Sequence, residues 1–159
     1  MADAEHKAAL QRLEILVGEW GIETSLELDP ALGPARMTIE WTLDGAFLLQ
    51  RSEVPMAAAP DTLSVIAADP DSGAYTQHYF DSRGVVRIYE MELSDERWTL
   101  ERTRADFSEL PFAQRYEGRF EGGGNRIVGQ WMKADAGTNW ETDFELSYTR
   151  LETKSGRDG

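Results

Sequence analysis

The chain has 159 residues and no cysteine, and its 29 acidic side chains against 16 Lys and Arg give a formal net charge of −13. That length suits one domain with a full core, and the missing thiols exclude a disulfide framework, a thiolate metal site and a cysteine nucleophile. The acidic excess repels phosphate backbones and anionic lipid, so no nucleic-acid or membrane partner is expected; with no apolar leader and no run of about 18 apolar residues, a cytoplasmic protein is.

Ala2 to Val17 carries Leu10, Leu13 and Leu16 at helical spacing, with Asp3 and Glu5 at the end that the helix dipole favours. This predicts a short helix stopped by Gly18. Trp20, Ile22, Thr24, Leu26 and Leu28 then alternate with mostly polar residues, as a strand with one buried face does. After the turn 29–34, Met37, Ile39, Trp41 and Leu43 form the apolar face of a second strand. Asp44-Gly45 marks a tight hairpin into a third strand, Ala46 to Val54, and Pro55 to Pro60 forms a loop of small residues. Thr62 to Ala68 is a fourth strand, closed by the turn-forming Asp69-Pro70-Asp71-Ser72-Gly73.

Tyr75 to Leu93 reads as a β-hairpin around Asp81-Ser82-Arg83-Gly84. Its second arm places Val85, Arg87, Tyr89, Met91 and Leu93 on one face. Trp98, Leu100, Arg102 and Arg104 line the next strand, and Gln114, Tyr116, Gly118 and Phe120 the one after it. Beyond the glycine-rich turn 122–125, Ile127, Gly129 and Trp131 continue the pattern. Trp140, Thr142, Phe144, Leu146 and Tyr148 close it, and all five tryptophans lie in the apolar register, as core packing requires. About ten strands joined by short turns predict an all-β fold: a single antiparallel up-and-down barrel over residues 1–151, followed by a disordered polar tail, 152–159. A sandwich is the alternative, disfavoured by the short connections.

The segment Leu13 to Trp20, the Asp44-Gly45 turn before Phe47-Leu48, the hairpin Gln77 to Gly84 and the ending Trp140 to Arg150 resemble the bacterial DUF1579-like proteins. The resemblance runs from about Leu10 to Leu151 and is most specific in the central hairpin. It implies a calycin-like barrel related to lipocalins, fatty-acid-binding proteins and nitrobindin, and no established activity. Nitrobindin holds haem through a histidine on a late strand. Here the only histidines are His6 and His78, and Trp140 to Leu151 has none, so no cofactor is expected. Two distant histidines and outward carboxylates give no metal site either.

The arginines carry the functional lead. Arg51 shares register with Phe47 and Leu49, Arg87 with Val85 and Met91, and Arg102 with Trp98 and Leu100, so three strands aim a guanidinium at the apolar face. A β-bulge, or arginines extending into water at a barrel mouth, is the competing reading. An enclosed guanidinium needs an opposing charge, and interior arginines with a tyrosine hold the carboxylate in the fatty-acid-binding barrels that the chain resembles. The candidate ligand-binding set is Arg51, Tyr79, Arg87, Tyr89, Arg102 and Tyr116, around walls that include Leu26, Ile39, Leu49, Met91 and Phe144. The expected partner is a small hydrophobic or aromatic anion, and a homodimer is compatible with the same reading. Two other classes stay open. One is a cofactor-independent barrel enzyme, lyase or isomerase in type, using Tyr79, Tyr89, Arg87 and Glu90, although Glu90 alternates onto the other face. The other is a packed barrel acting as an interaction module.

Overall fold

The computed structural model describes residues 2–26, 35–54, 60–103, 112–134 and 139–151. Helix α1 (Ala2–Arg12) tightens into a 3₁₀ turn at Leu13–Leu16. The tighter winding puts positions three apart on one side, and Leu13 and Leu16 both reach 0% exposure against the sheet. Ten strands follow: β1 (Gly18–Thr24), β2 (Arg36–Thr42), β3 (Phe47–Glu53), β4 (Thr62–Ala68), β5 (Tyr75–Asp81), β6 (Val86–Leu93), β7 (Arg97–Arg102), β8 (Ala113–Glu121), β9 (Arg126–Ala134) and β10 (Glu141–Arg150). Each pairs antiparallel with the next, and β10 pairs with β1, so the sheet closes into the expected up-and-down barrel and leaves no open edge. Among the described residues, no helix is long and apolar enough to cross a membrane. Leu28, Arg104, most of the small-residue loop 55–60 and the polar tail 152–159 lie outside the described residues.

Successive strands run in opposite directions, so the barrel has two distinct rims. One is covered by α1 and the 3₁₀ turn. There the Tyr75 hydroxyl donates to the Ala9 carbonyl at 2.6 Å, and Trp20 Nε1 donates to the Leu16 carbonyl at 2.9 Å. The Arg150 guanidinium lies 4.2 Å over the Trp20 ring and donates to the carbonyls of Ile15, Val17 and Gly124. Gly18 is required beneath it, because a Cβ there would stand 2.6 Å from Arg150 Nη1 and its φ is +139°.

Three predicted registers are corrected. In β3 it is Leu48 and Gln50 that are buried inward, while Leu49 faces out and Arg51 is exposed. Phe47-Leu48-Leu49 is an unbroken apolar run, in which alternation carries no parity. Pairing decides it: Leu48 sits between Trp41 and Ile66, and Gln50 between Ile39 and Ser64. Leu43 does not extend the face of β2. It lies 70% exposed in the turn 43–46, where Leu43 and Asp44 both take positive φ ahead of Gly45. Trp140, expected in the core, stands outside. Thr142 pairs with Met132 but Phe144 with Trp131, so Asp143 is a bulge that reverses the face, and the Trp140 ring stacks on the outward Arg115, 4.4 Å from its guanidinium carbon.

Candidate functional site

At the rim opposite α1 the interior is hollow. A cavity of about 350 Å³ opens between the last residues of the odd strands and the first residues of the even ones. It falls within the size range of small-molecule sites.

Its two walls differ in chemistry. Across β3, β4, β5 and β6, Gln50, Ser64, Tyr79 and Arg87 are successive cross-strand partners, forming one polar row on the inner surface. Gln77 lines the cavity from the neighbouring inward position of β5 and donates from Nε2 to Ser64 Oγ at 3.1 Å. The facing wall is aromatic. Tyr89, Trp131, Tyr116, Trp98 and Tyr148 form a continuous set of edge-on and tilted ring contacts with centroids 5.4 to 6.1 Å apart. Glycines make room for it: a Cβ on Gly129 would lie 2.3 Å from the Tyr116 hydroxyl, and one on Gly118 would lie 2.9 Å from its ring.

The mouth is set by the tip of the β5–β6 hairpin. The Asp81 carboxylate has no solvent-exposed surface and accepts from the Tyr79 hydroxyl at 2.8 Å and from Arg83 Nη2 at 2.7 Å. It also accepts from the backbone N–H groups of Arg83 and Val85. Desolvation pushes this carboxyl up, but the bonds from Arg83, Tyr79 and the backbone outweigh it and hold the group at about 2. Burial, then the bond to Asp81, raises the Tyr79 phenol above its ordinary value. Burial likewise raises Tyr116 and Tyr148, so these phenols line the site as neutral groups.

Of the sequence-predicted set, Tyr79, Arg87, Tyr89 and Tyr116 come together on the cavity. Arg51 does not: it points away from the interior, into an outer groove with Glu19, Arg36 and Asp61. Arg102 is inward and only 3% exposed, paired in register with Gln114, but it does not line the cavity. Of the predicted walls, Leu26 and Phe144 line it, whereas Ile39 and Met91 belong to the filled core. The three tyrosine hydroxyls donate within the protein, Tyr79 to Asp81, Tyr89 to Gln114 and Tyr116 to the Leu146 carbonyl, so they serve the cavity mainly as walls. Glu90 is exposed on the outer face opposite Glu101, away from the cavity, which removes it from the acid–base set. His78 also faces outward, 3.2 Å from Thr76 Oγ1, and among the described residues no acidic or histidine cluster could hold a metal ion.

Among the described residues, four buried side-chain atoms have no hydrogen-bond partner: Gln50 Oε1, Gln77 Oε1, Arg87 Nε and Trp98 Nε1. All four residues line this cavity. The two glutamines were passed over in the sequence, although Gln77 lies between the inward Tyr75 and Tyr79 and so carried a readable signal. Gln50 carried none, because its face followed from pairing alone.

No protein-family model matches the chain, and no curated protein matches it. Among solved structures, it is similar to Rv2717c from M. tuberculosis with a TM-score of 0.61 at 13% identity, over 91% of this chain and 98% of that one. The likeness is one of fold: this chain builds a closed ten-stranded barrel similar to that protein's fold.

Proposed function

We propose that the barrel binds a small amphipathic or aromatic carboxylate, with Arg87 holding the charge and Tyr79, Tyr89 and Tyr116 forming the walls around it. One observation carries the reading. Arg87 Nε is buried and unpartnered at the cavity, and no carboxylate among the described residues lies within salt-bridge reach of that guanidinium. Its guanidinium carbon lies over the Tyr79 ring, 5.8 Å from the centroid. A guanidinium in that setting is best stabilised by an anion entering from outside. Arg83 also lines the mouth, but its charge is answered by Asp81, which leaves Arg87 to meet the ligand's charge. The same reading takes residues 1–151 as one domain of the calycin-like type and the protein as cytoplasmic, supported by the closed strand order and by an acidic chain without cysteine.

The test is a calorimetric titration with 2-naphthoic acid and with its methyl ester. The acid is expected to bind at least about tenfold more tightly, the worth of a charge-assisted hydrogen bond. Arg87→Met keeps the packing of the stem and should remove that preference while leaving ester binding unchanged. Equal affinities of the natural chain for acid and ester would reject the proposal.

A further inference from the structure

We infer that the occupant is a flat aromatic acid bearing a ring hydroxyl, and not a fatty acid. This rests on the carboxylate site proposed above and adds what the rest of the cavity demands. Three of the unpartnered atoms lie apart from the charge site, on side chains almost wholly buried: Gln50 is 7% exposed, Gln77 4% and Trp98 1%. Gln77 Nε2 is spent on Ser64, and Gln50 Nε2 has only the Met37 sulfur at 3.1 Å, a weak acceptor. Each carboxamide belongs to a residue of the cavity wall and keeps a buried oxygen with nothing to meet it. Trp98 Nε1 can only donate.

A cavity with such groups holds water when empty, and a ligand gains only if it replaces the hydrogen bonds of the water it displaces. A methylene chain replaces none of them. A hydroxyl both donates and accepts, so it can answer a carboxamide in either orientation or the indole N–H. The shape requirement comes from Trp131, a half-buried ring on the cavity wall that is backed by the buried Tyr116 and offers stacking surface to a flat body. The carboxamides of Gln50 and Gln77 on one side and the Trp131 face on the other suit a planar molecule with a polar edge better than a flexible chain.

The experiment extends the titration to 2-naphthoic acid, its 3-hydroxy and 6-hydroxy derivatives, and dodecanoic acid. One hydroxy derivative is expected to bind at least about tenfold more tightly than the parent acid, because the unanswered polar groups penalise the analogue that lacks the hydroxyl. Gln77→Leu or Gln50→Leu should erase that increment by raising the affinity for 2-naphthoic acid, since the buried carboxamide that penalises the acid without a hydroxyl is gone. The two variants sit on different strands, so either one gives the comparison if the other does not fold. The inference fails if neither hydroxyl adds affinity, if both folded variants keep the full increment, or if dodecanoic acid binds as tightly as the better hydroxy acid. Those failures leave the acid-over-ester preference intact. Loss of that preference would instead overturn the carboxylate site itself.

Discussion

The two ends of this barrel are built from the same ten-strand ladder and put to opposite uses. Under α1 the interior is filled with apolar side chains, Leu13, Leu16, Trp20, Ile39, Leu48 and Ile127 among them, each at most 1% exposed. There the polar side chains of Trp20, Tyr75 and Arg150 each have a partner. At the other end a space of about 350 Å³ is left, and the described buried side-chain atoms that lack partners gather around it. A natural interior leaves few such atoms, because each costs about 1–3 kcal/mol. Their concentration at one end marks where stability has been given up, at the place of the proposed ligand site. The packed end carries that cost, with roughly 2 kcal/mol from full burial of each leucine.

This contrast can be broken by mutation. The largest effect is expected at the filled end: Leu13→Ala should destabilise the fold by about 3 kcal/mol, through lost transfer energy and the cavity left behind. Urea denaturation measures it. A loss below about 1 kcal/mol would mean that α1 is not part of the core, leaving both ends of the barrel functionally open.

A smaller effect is expected at the mouth, in acid. Asp81 is held at about 2 against an ordinary 3.8, so its contribution is fully present above pH 3.8 and is lost as pH falls through about 2. The size is on the order of 1–2 kcal/mol. Natural chain and Asp81→Asn should therefore differ by that amount in denaturant midpoints at pH 6 and converge at the acid end of the range. A constant difference across that range would show that the Tyr79–Asp81–Arg83 network is held by something other than the charge.

The smallest effect is expected at Arg87. On the proposed reading Arg87 owes little to the fold, so Arg87→Met should leave stability unchanged or raise it by up to about 1 kcal/mol, since a buried, unpartnered Nε–H is removed. A thermal melt without ligand decides this. A clear loss of stability would place Arg87 among the structural clamps, with Arg150, and erase the distinction between the two ends.

Much of the fold was legible in the chain itself. Strand number, turn positions and the inward faces of β5 to β8 follow from period-two alternation interrupted by Gly, Pro and Asp, because each strand has one face in the core and one in water. That is why the alternation alone places Tyr79, Arg87, Tyr89 and Tyr116 on one inner surface. Alternation fails where a run is apolar throughout or where a residue is inserted. Phe47-Leu48-Leu49 has no parity until β2 and β4 pair with it, which turned Arg51 out and Gln50 in. The bulge at Asp143 did the same to Trp140. Whether the interior is filled or hollow was beyond reach for a deeper reason. Local pattern says which way a side chain points, but the space left over depends on how side chains from ten strands meet across the barrel, and on which polar atoms find partners there. Only the tertiary structure brings those distant positions together.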